Sequence, residues 1–148
     1  MFDRIVVGLD GSETSDAALQ LACGLAKAHG SELHLVHAPQ PKTVAFALGA
    51  VTGYHTATTM PAPDEVAKAG QAILDKGVEI ATANGQQVAN THQDRGDPAQ
   101  VIATYAEQIG ADLIVTGRRG LGNLGALVQG STSQKINHLA HCACLTVA

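Results

Sequence analysis

The sequence contains few aromatic residues: two Phe, two Tyr and no Trp among 148 residues. Hydrophobic residues still make up 45 % of the chain, so a core must be built mainly from Ala, Val, Ile and Leu. That composition is typical of a parallel sheet covered by helices on both faces. It argues against a platform that stacks the bases of single-stranded nucleic acid, because such platforms use aromatic side chains.

Clusters of basic residues are also lacking. The longest Lys/Arg run is Arg118-Arg119, and the net charge is -4 with His neutral. Non-specific binding to DNA or RNA depends on several basic contacts that release counterions, so we expect no nucleic-acid partner. A phosphate can still bind to a protein of this charge through backbone N–H groups at the start of a helix.

Long hydrophobic runs and a targeting signal are not evident either. The apolar run 44–51 is interrupted by Gly49 and is too short to span a bilayer. The residues 1–4 lack the basic and apolar regions of a signal peptide, so we expect no membrane association and no secretion. Three Cys, an odd number, fit a reducing compartment better than a disulfide framework. We therefore expect a cytoplasmic protein.

Short β-branched segments alternate with segments of helical periodicity. The predicted strands are 4–9, 33–38, 87–92, 112–116 and 144–147, with the polar third strand at an edge. Helices are predicted after a cap at Ser12 or Thr14, over 64–83, after Asp97-Pro98 and from Ser131. One face of the second predicted helix carries Val66, Ala69, Ile73, Gly77 and Ile80. This alternation predicts an α/β fold, a single doubly wound domain over residues 1–148 with a five-stranded parallel sheet and helices on both faces.

The connection between Pro39 and Pro63 is long and nearly uncharged. Such connections in compact domains are typical of a lid, a binding loop or a partner surface. A plain flexible loop is equally compatible with this composition.

Two segments follow strands at the edge of the predicted sheet where ligands bind in such folds. The first is Gly8-Leu9-Asp10-Gly11-Ser12. The second is Gly117-Arg118-Arg119-Gly120, which continues through nine residues to Gly130-Ser131-Thr132-Ser133. Gly130 would let the backbone approach an anion, and the N–H groups of Ser131, Thr132 and Ser133 would point at it with the helix dipole behind them. Taken alone, this pattern is equally compatible with a surface loop and an ordinary Ser-capped helix.

The spaced glycine pattern, Gly-x-x-Gly, nine residues, then Gly-Ser, resembles the ATP-binding signature of the universal stress protein family. The opening 5–12, the strand Leu35-Val36-His37-Ala38 and the segment 111–115 resemble that family's first, second and fourth strands. The resemblance covers nearly the whole chain in order. It implies a Rossmann-like fold of the adenine nucleotide alpha hydrolase-like kind, and a homodimer through the C-terminal strand.

The resemblance also implies an ATP or AMP ligand and the residues that contact it. Asp10 would contact the ribose or the metal-bound phosphates, and Ala38 would offer its backbone to the adenine. Ribose and phosphates would lie against the remaining site residues, which are Gly8, Leu9, Gly117, Arg118, Arg119, Gly120, Gly130, Ser131, Thr132 and Ser133. Mg²⁺ or Mn²⁺ could bridge the phosphate oxygens.

Other signals in the sequence are weaker. The G-x-G-x-x-G pattern at 120–125 does not directly follow a strand, which disfavours a dinucleotide site. His138, His141, Cys142 and Cys144 have metal-ligand chemistry, but their position at a helix-to-strand junction favours structural roles. His37 ends a central strand next to the proposed site, where a structural histidine is favoured over a ligand contact.

Three functions remain as hypotheses. The preferred one is a dimeric stress-response sensor or regulator whose nucleotide state shifts the population of a loop or an interface. No nucleophile or general base stands out in the sequence, so ATP hydrolysis is expected to be slow at most and no catalytic residue is assigned. The alternatives are a slow metal-dependent nucleotide hydrolase using Asp10 and Arg118 or Arg119, and a dimeric interaction module without nucleotide.

Replacing Gly130 by Val tests the predicted phosphate cradle. A branched side chain there would crowd the anion, so we expect loss of ATP affinity in a titration while circular dichroism still reports a folded chain. Unchanged affinity would mean that the cradle lies elsewhere.

Overall fold

A computed structural model describes residues 1–40, 62–118 and 131–148 of the chain. Within these ranges five strands alternate with four helices. The strands are β1 (Arg4–Gly8), β2 (Glu32–His37), β3 (Val88–Gln93), β4 (Leu113–Gly117) and β5 (Ala143–Val147). The helices are α1 (Glu13–His29), α2 (Pro63–Ala83), α3 (Pro98–Ile109) and α4 (Ser131–Leu139). Each predicted element is present, with small shifts at its ends.

The five strands form one parallel sheet in the order β3-β2-β1-β4-β5. The central strand β1 pairs with β2 on one side and β4 on the other, so that Val7 lies opposite both Leu35 and Val115. The polar strand β3 forms one edge of the sheet, as predicted, and β5 forms the other. The predicted α/β class with a five-stranded parallel sheet is therefore confirmed.

The helices begin and end at residues that suit their positions. Ser12 caps α1 by accepting a hydrogen bond from the Ser15 N–H at 3.2 Å, and Asp97 caps α3 in the same way. Gly30 and Gly110 follow the last residues of α1 and α3 with φ values of 71° and 63°. Glycine adopts this left-handed conformation without steric cost, so both helices end there.

Helices cover both faces of the sheet. Because successive residues of a strand point to opposite faces, each strand contributes to two separate cores. The core under α1 and α2 includes Ile5, Val7, Leu19, Leu33, Leu35, Leu74, Leu113 and Val115. The core under α3 and α4 includes Val6, Val36, Ile102, Tyr105, Ile114 and Ile136. Among the described residues, none of the helices has both the length and the apolar character that crossing a bilayer requires.

The buried face of α2 agrees in part with the sequence-based prediction. Val66 and Gly77 of the predicted face are buried, whereas Ala69, Ile73 and Ile80 are half-buried; Ile73 and Ile80 still pack against the core. The buried residues of the helix are Val66, Gly70, Leu74, Gly77 and Ala81. A Cβ atom on Gly77 would lie 2.6 Å from Leu9 Cδ1, so the two glycines let the helix approach the sheet closely. The predicted face is thus confirmed at Val66 and Gly77, and the structure adds Gly70, Leu74 and Ala81 to the buried residues.

Leu74→Ala tests the packing of α2 on the sheet. Leu74 is 1 % exposed, so its truncation leaves a cavity and should lower the free energy of unfolding by about 2–4 kcal/mol. Leu21→Ala is the matched control, because Leu21 lies on α1 with 44 % exposure and should change stability by less than about 1 kcal/mol. Urea denaturation of both variants measures the difference. Equal losses would contradict this packing.

Candidate functional site

The strand order reverses between β1 and β4, which are neighbours in the sheet. Gly8, the last residue of β1, pairs with Thr116, so Leu9 and Asp10 leave the sheet beside Gly117 and Arg118. In doubly wound folds, the crevice outside the carboxyl ends of the strands at such a reversal is where ligands bind. The structure therefore brings Leu9 and Asp10 of the first predicted segment beside Gly117 and Arg118 of the second.

The backbone N–H and carbonyl of Leu9 are both hydrogen-bonded to residues of β2. Its N–H donates to the carbonyl of Val36 at 2.9 Å, which continues the pairing of β1 with β2. Its carbonyl accepts a hydrogen bond from Nδ1 of His37 at 2.7 Å. Because the partner is a carbonyl, Nδ1 carries a proton, and a neutral ring would leave Nε2 as an acceptor. The main chain entering the site is thus fixed to the end of β2.

Asp10 organises the turn that starts α1. Its Oδ1 accepts hydrogen bonds from the Ser12 backbone N–H at 3.0 Å and from the Ser12 hydroxyl at 2.5 Å. Gly11 between them has a φ of 83°, a conformation that glycine adopts readily. Ser12 then caps the helix through Ser15. One oxygen of the carboxylate that was predicted to contact a ligand therefore shapes the loop.

His37 lies beneath this turn with 5 % exposure. Burial lowers the pKa of its imidazole below the ordinary value of 6.5, while the bond to the Leu9 carbonyl and the nearby Asp10 charge act in the opposite direction. The ring is therefore neutral at pH 7. Space for the ring comes from Gly70 on α2, where a Cβ atom would lie 2.9 Å from His37 Cδ2.

Gly117 packs against the first turn of α1. A Cβ atom on Gly117 would lie 2.8 Å from the carbonyl carbon of Thr14 and 2.9 Å from the Ser15 nitrogen. The position of a side chain at Gly117 is therefore filled by backbone, so any contact of Gly117 with a ligand would use its main chain. Gly8 is similarly constrained, since a Cβ atom there would lie 2.6 Å from Ile102 Cδ1 on α3.

The main chain beyond Gly117 is tied to the last strand. The Arg118 N–H donates to the carbonyl of Val147 at 2.6 Å, and the Arg118 side chain is exposed. Arg119, Gly120 and Gly130, which the sequence analysis also placed in the site, lie outside the described residues.

The start of α4 lies at the same edge of the sheet, because α4 connects the end of β4 to the beginning of the parallel strand β5. Ser131 is exposed, Thr132 is half-buried and Ser133 is buried. The N-terminus of an α-helix carries the positive end of its dipole and N–H groups without partners inside the helix. This end of α4 can therefore attract an anion.

Ala38 extends β2 at the same edge of the sheet. Its side chain is buried, with 6 % exposure, and packs into the core under α3 and α4. Next to it, the His37 carbonyl accepts a hydrogen bond from the Asp94 N–H at 3.4 Å. Any contact of Ala38 with a ligand would therefore use the main chain, as the resemblance implied.

A lysine that the sequence analysis did not select also approaches this region. Lys135, on α4, donates from Nζ to Asp97 Oδ2 at 2.9 Å and joins the start of α3 to α4. The hydrogen bond from Lys135 is the main reason why the pKa of the Asp97 carboxyl lies below its ordinary value. Residues so far apart in sequence gave no signal of this pairing.

The side chains with metal-ligand chemistry do not form a metal site in the described parts of the chain, where no group of three or more His, Cys, Asp or Glu is suitably placed. Cys142 and Cys144 are free thiols, half-buried against the core under α3 and α4. Burial raises the pKa of both thiols, which favours their neutral form.

Gly117→Ala tests the backbone contact between β4 and α1. The added methyl group would overlap main-chain atoms of Thr14 and Ser15, so we expect unfolding free energy to fall by about 1–3 kcal/mol. Gly24→Ala is the matched control, because a Cβ atom at Gly24 meets nothing within 4 Å and should stabilise α1 by up to about 1 kcal/mol. Thermal denaturation compares the two. A Gly117→Ala chain as stable as the wild type would refute the contact.

Comparisons with known proteins agree with this geometry. The family model described as the universal stress protein family matches residues 1–148. Universal stress protein YxiE of Bacillus subtilis (strain 168) is 34 % identical over 148 residues, and the match covers 99 % of both chains. A Thermus aquaticus protein named "Universal stress protein in QAH/OAS sulfhydrylase 3'region" is 35 % identical over 148 residues, with 99 % of both chains covered.

Solved structures lead to the same family. The crystal structure of a universal stress protein in complex with cAMP has a TM-score of 0.72 to this chain and is 26 % identical. The match covers 99 % of this chain and 97 % of that one. Since the family model spans every residue and relatives above 30 % identity match along their whole length, the chain belongs to the universal stress protein family.

Proposed function

We propose that this chain binds an adenine nucleotide, ATP or AMP, at the carboxyl edge of the sheet and acts as a sensor or regulator in the stress response. The observation that carries the proposal is that two segments meet at the strand reversal. They are the Asp10–Ser12 turn and the end of β4 at Gly117. A family member 26 % identical to this chain was solved in complex with cAMP, which contains adenine, ribose and a phosphate.

Electrostatics favour an anion at this edge. The chain has a net charge of -4, so general attraction does not explain phosphate binding. Local charges favour a phosphate at this edge, because α1 and α4 both begin there and direct the positive ends of their dipoles towards it. The exposed side chain of Arg118 adds a positive charge at the end of β4.

The resemblance supports a proposed contact for each part of the nucleotide within this arrangement. The Ala38 main chain faces the adenine, and Asp10 faces the ribose or metal-bound phosphates. The phosphate contacts are proposed for Gly117, Arg118, Arg119, Gly120, Gly130, Ser131, Thr132 and Ser133, and the backbone of Gly8 and Leu9 forms the floor. Mg²⁺ or Mn²⁺ would accompany the phosphates, with Asp10 as the carboxylate available to hold it.

A sensor is favoured over a dedicated hydrolase by the roles of the titratable groups near the site. Asp10 uses Oδ1 to hold the turn at Ser12, and His37 uses its Nδ1–H to hold Leu9. A general base accepts a proton from a reacting group. Asp10 and His37 both make hydrogen bonds that hold the loop, and proton transfer would disturb these bonds. We therefore propose that bound nucleotide persists and is hydrolysed slowly at most.

We also propose a cytoplasmic homodimer that forms through β5. This strand is an edge of the sheet, and Cys144, Leu145, Thr146 and Val147 are each only half-buried within one chain. Edge strands present unpaired backbone groups that a second copy can satisfy. Because Val147 also bonds to Arg118 beside the site, a change at the site could reach such an interface.

The ligand itself gives the most direct test. Protein purified without added nucleotide and then denatured should release an adenine nucleotide, identified by mass spectrometry. Calorimetric titration of stripped protein should show saturable binding of ATP and AMP, with guanosine triphosphate as the control for base selectivity. Phosphate release should stay far below about 1 per second, the low end for ordinary enzymes.

Two results would separate the alternatives. Protein that releases no nucleotide and binds none in titration would favour the interaction module and refute this proposal. Rapid turnover that Asp10→Ala abolishes while binding remains would favour the hydrolase.

A further inference from the structure

Two buried histidines on β2 occupy opposite faces of the sheet and contact different kinds of partner. His34, which is 8 % exposed, faces α3, where its Nδ1 lies 3.1 Å from the Tyr105 hydroxyl. His37, which is 5 % exposed, faces α2 and bonds to the Leu9 carbonyl. One histidine therefore joins a strand to a helix, whereas the other joins the end of β2 to the loop that carries Asp10.

The imidazole of His37 is not explained by packing alone. A leucine would fill a similar volume, and burying a polar ring costs free energy unless the ring is hydrogen-bonded. The bond from Nδ1 to the Leu9 carbonyl at 2.7 Å offsets that cost. Gly70 leaves room for the ring, because a Cβ atom there would lie 2.9 Å from His37 Cδ2. The N–H donor is thus the feature of His37 that a hydrophobic residue could not supply.

The Leu9 carbonyl is the last backbone group before the Asp10 turn. Asp10 holds Ser12, Ser12 caps α1, and the first turn of α1 lies against Gly117. A shift of the Leu9 peptide would therefore move the turn and the helix start together. On its other side, His37 is followed directly by Ala38, whose main chain is the proposed adenine contact.

We propose that His37 is a positioning residue: its Nδ1–H bond to the Leu9 carbonyl sets the spacing between the adenine side of the site at Ala38 and the ribose side at Asp10. His37 need not touch the nucleotide. This inference rests on the proposed nucleotide binding. It goes beyond that proposal, because it attributes the fit of the ligand to one hydrogen bond between the end of β2 and the residue after β1.

The test places a side-chain amide at residue 37 at two distances from the backbone. His37→Asn places its N–H near the position of Nδ1 and can keep the bond to Leu9. His37→Gln carries the amide one methylene further, near the position of Nε2, and loses that geometry. Tyr105→Phe is the control, because it removes the hydrogen bond of the other buried histidine, His34, on the opposite face.

Two measurements are made on stripped protein at pH 7.5, at a temperature where every variant is folded. Calorimetry gives Kd for ATP and for AMP, and hydrogen exchange reports protection of residues 9–15. We expect His37→Gln to raise both Kd values about tenfold and to speed exchange in 9–15, in line with the loss of one buried hydrogen bond. His37→Asn and Tyr105→Phe should stay within about threefold of the wild-type Kd.

The outcomes distinguish the inference from the function on which it rests. Wild type that binds neither nucleotide overturns both. If wild type binds and His37→Gln binds equally well, only the positioning role is overturned. If His37→Asn is as weak as His37→Gln while exchange in 9–15 stays slow, the ring contacts the ligand directly and the positioning role is also overturned. Should His37→Gln fail to fold, His37→Met, which fills the space without a donor, replaces it in the same comparison.

Discussion

The contact between the first turn of α1 and Gly117 is the constraint on which the rest of the site depends. Main-chain atoms of Thr14 and Ser15 occupy the space where any other residue would carry Cβ. Backbone cannot move aside as a flexible side chain can, so this approach fixes α1 relative to the end of β4. The Asp10 turn, which leads into α1, is thereby held beside β4, and the strand reversal becomes a narrow, defined edge.

Small residues permit similar approaches elsewhere in the molecule. Gly77 brings α2 close to Leu9 and Leu35, while Gly70 makes room for His37. With four Phe and Tyr residues in total and no Trp, the chain fills its core with aliphatic side chains and close backbone contacts. At Gly117 main chain packs against main chain, whereas at Gly70 and Gly77 the backbone of α2 packs against side chains of the sheet and the Leu9 loop.

Hydrogen bonds around the site hold loops in place, and that of His37 is buried. His37 fixes Leu9, Asp10 fixes Ser12, and Lys135 joins α4 to Asp97 at the start of α3. The bonds of His37 and Lys135 each join two segments at the carboxyl edge, and those of Asp10 hold a single turn. This division of work agrees with a protein that retains a nucleotide and responds to it, since side chains occupied in holding loops are poorly placed to exchange protons with a substrate.

The sequence by itself determined the elements, their order and the parallel sheet, because strand and helix periodicities, the caps at Ser12 and Asp97 and the glycines at 30 and 110 are local signals. It also selected both segments that meet at the strand reversal. Only the tertiary structure decided which residues of α2 are buried, that Gly117 serves helix packing, and that His37 bonds to Leu9. Those features depend on distances between segments far apart in the chain, and periodicity along one segment carries no information about how closely another backbone approaches it.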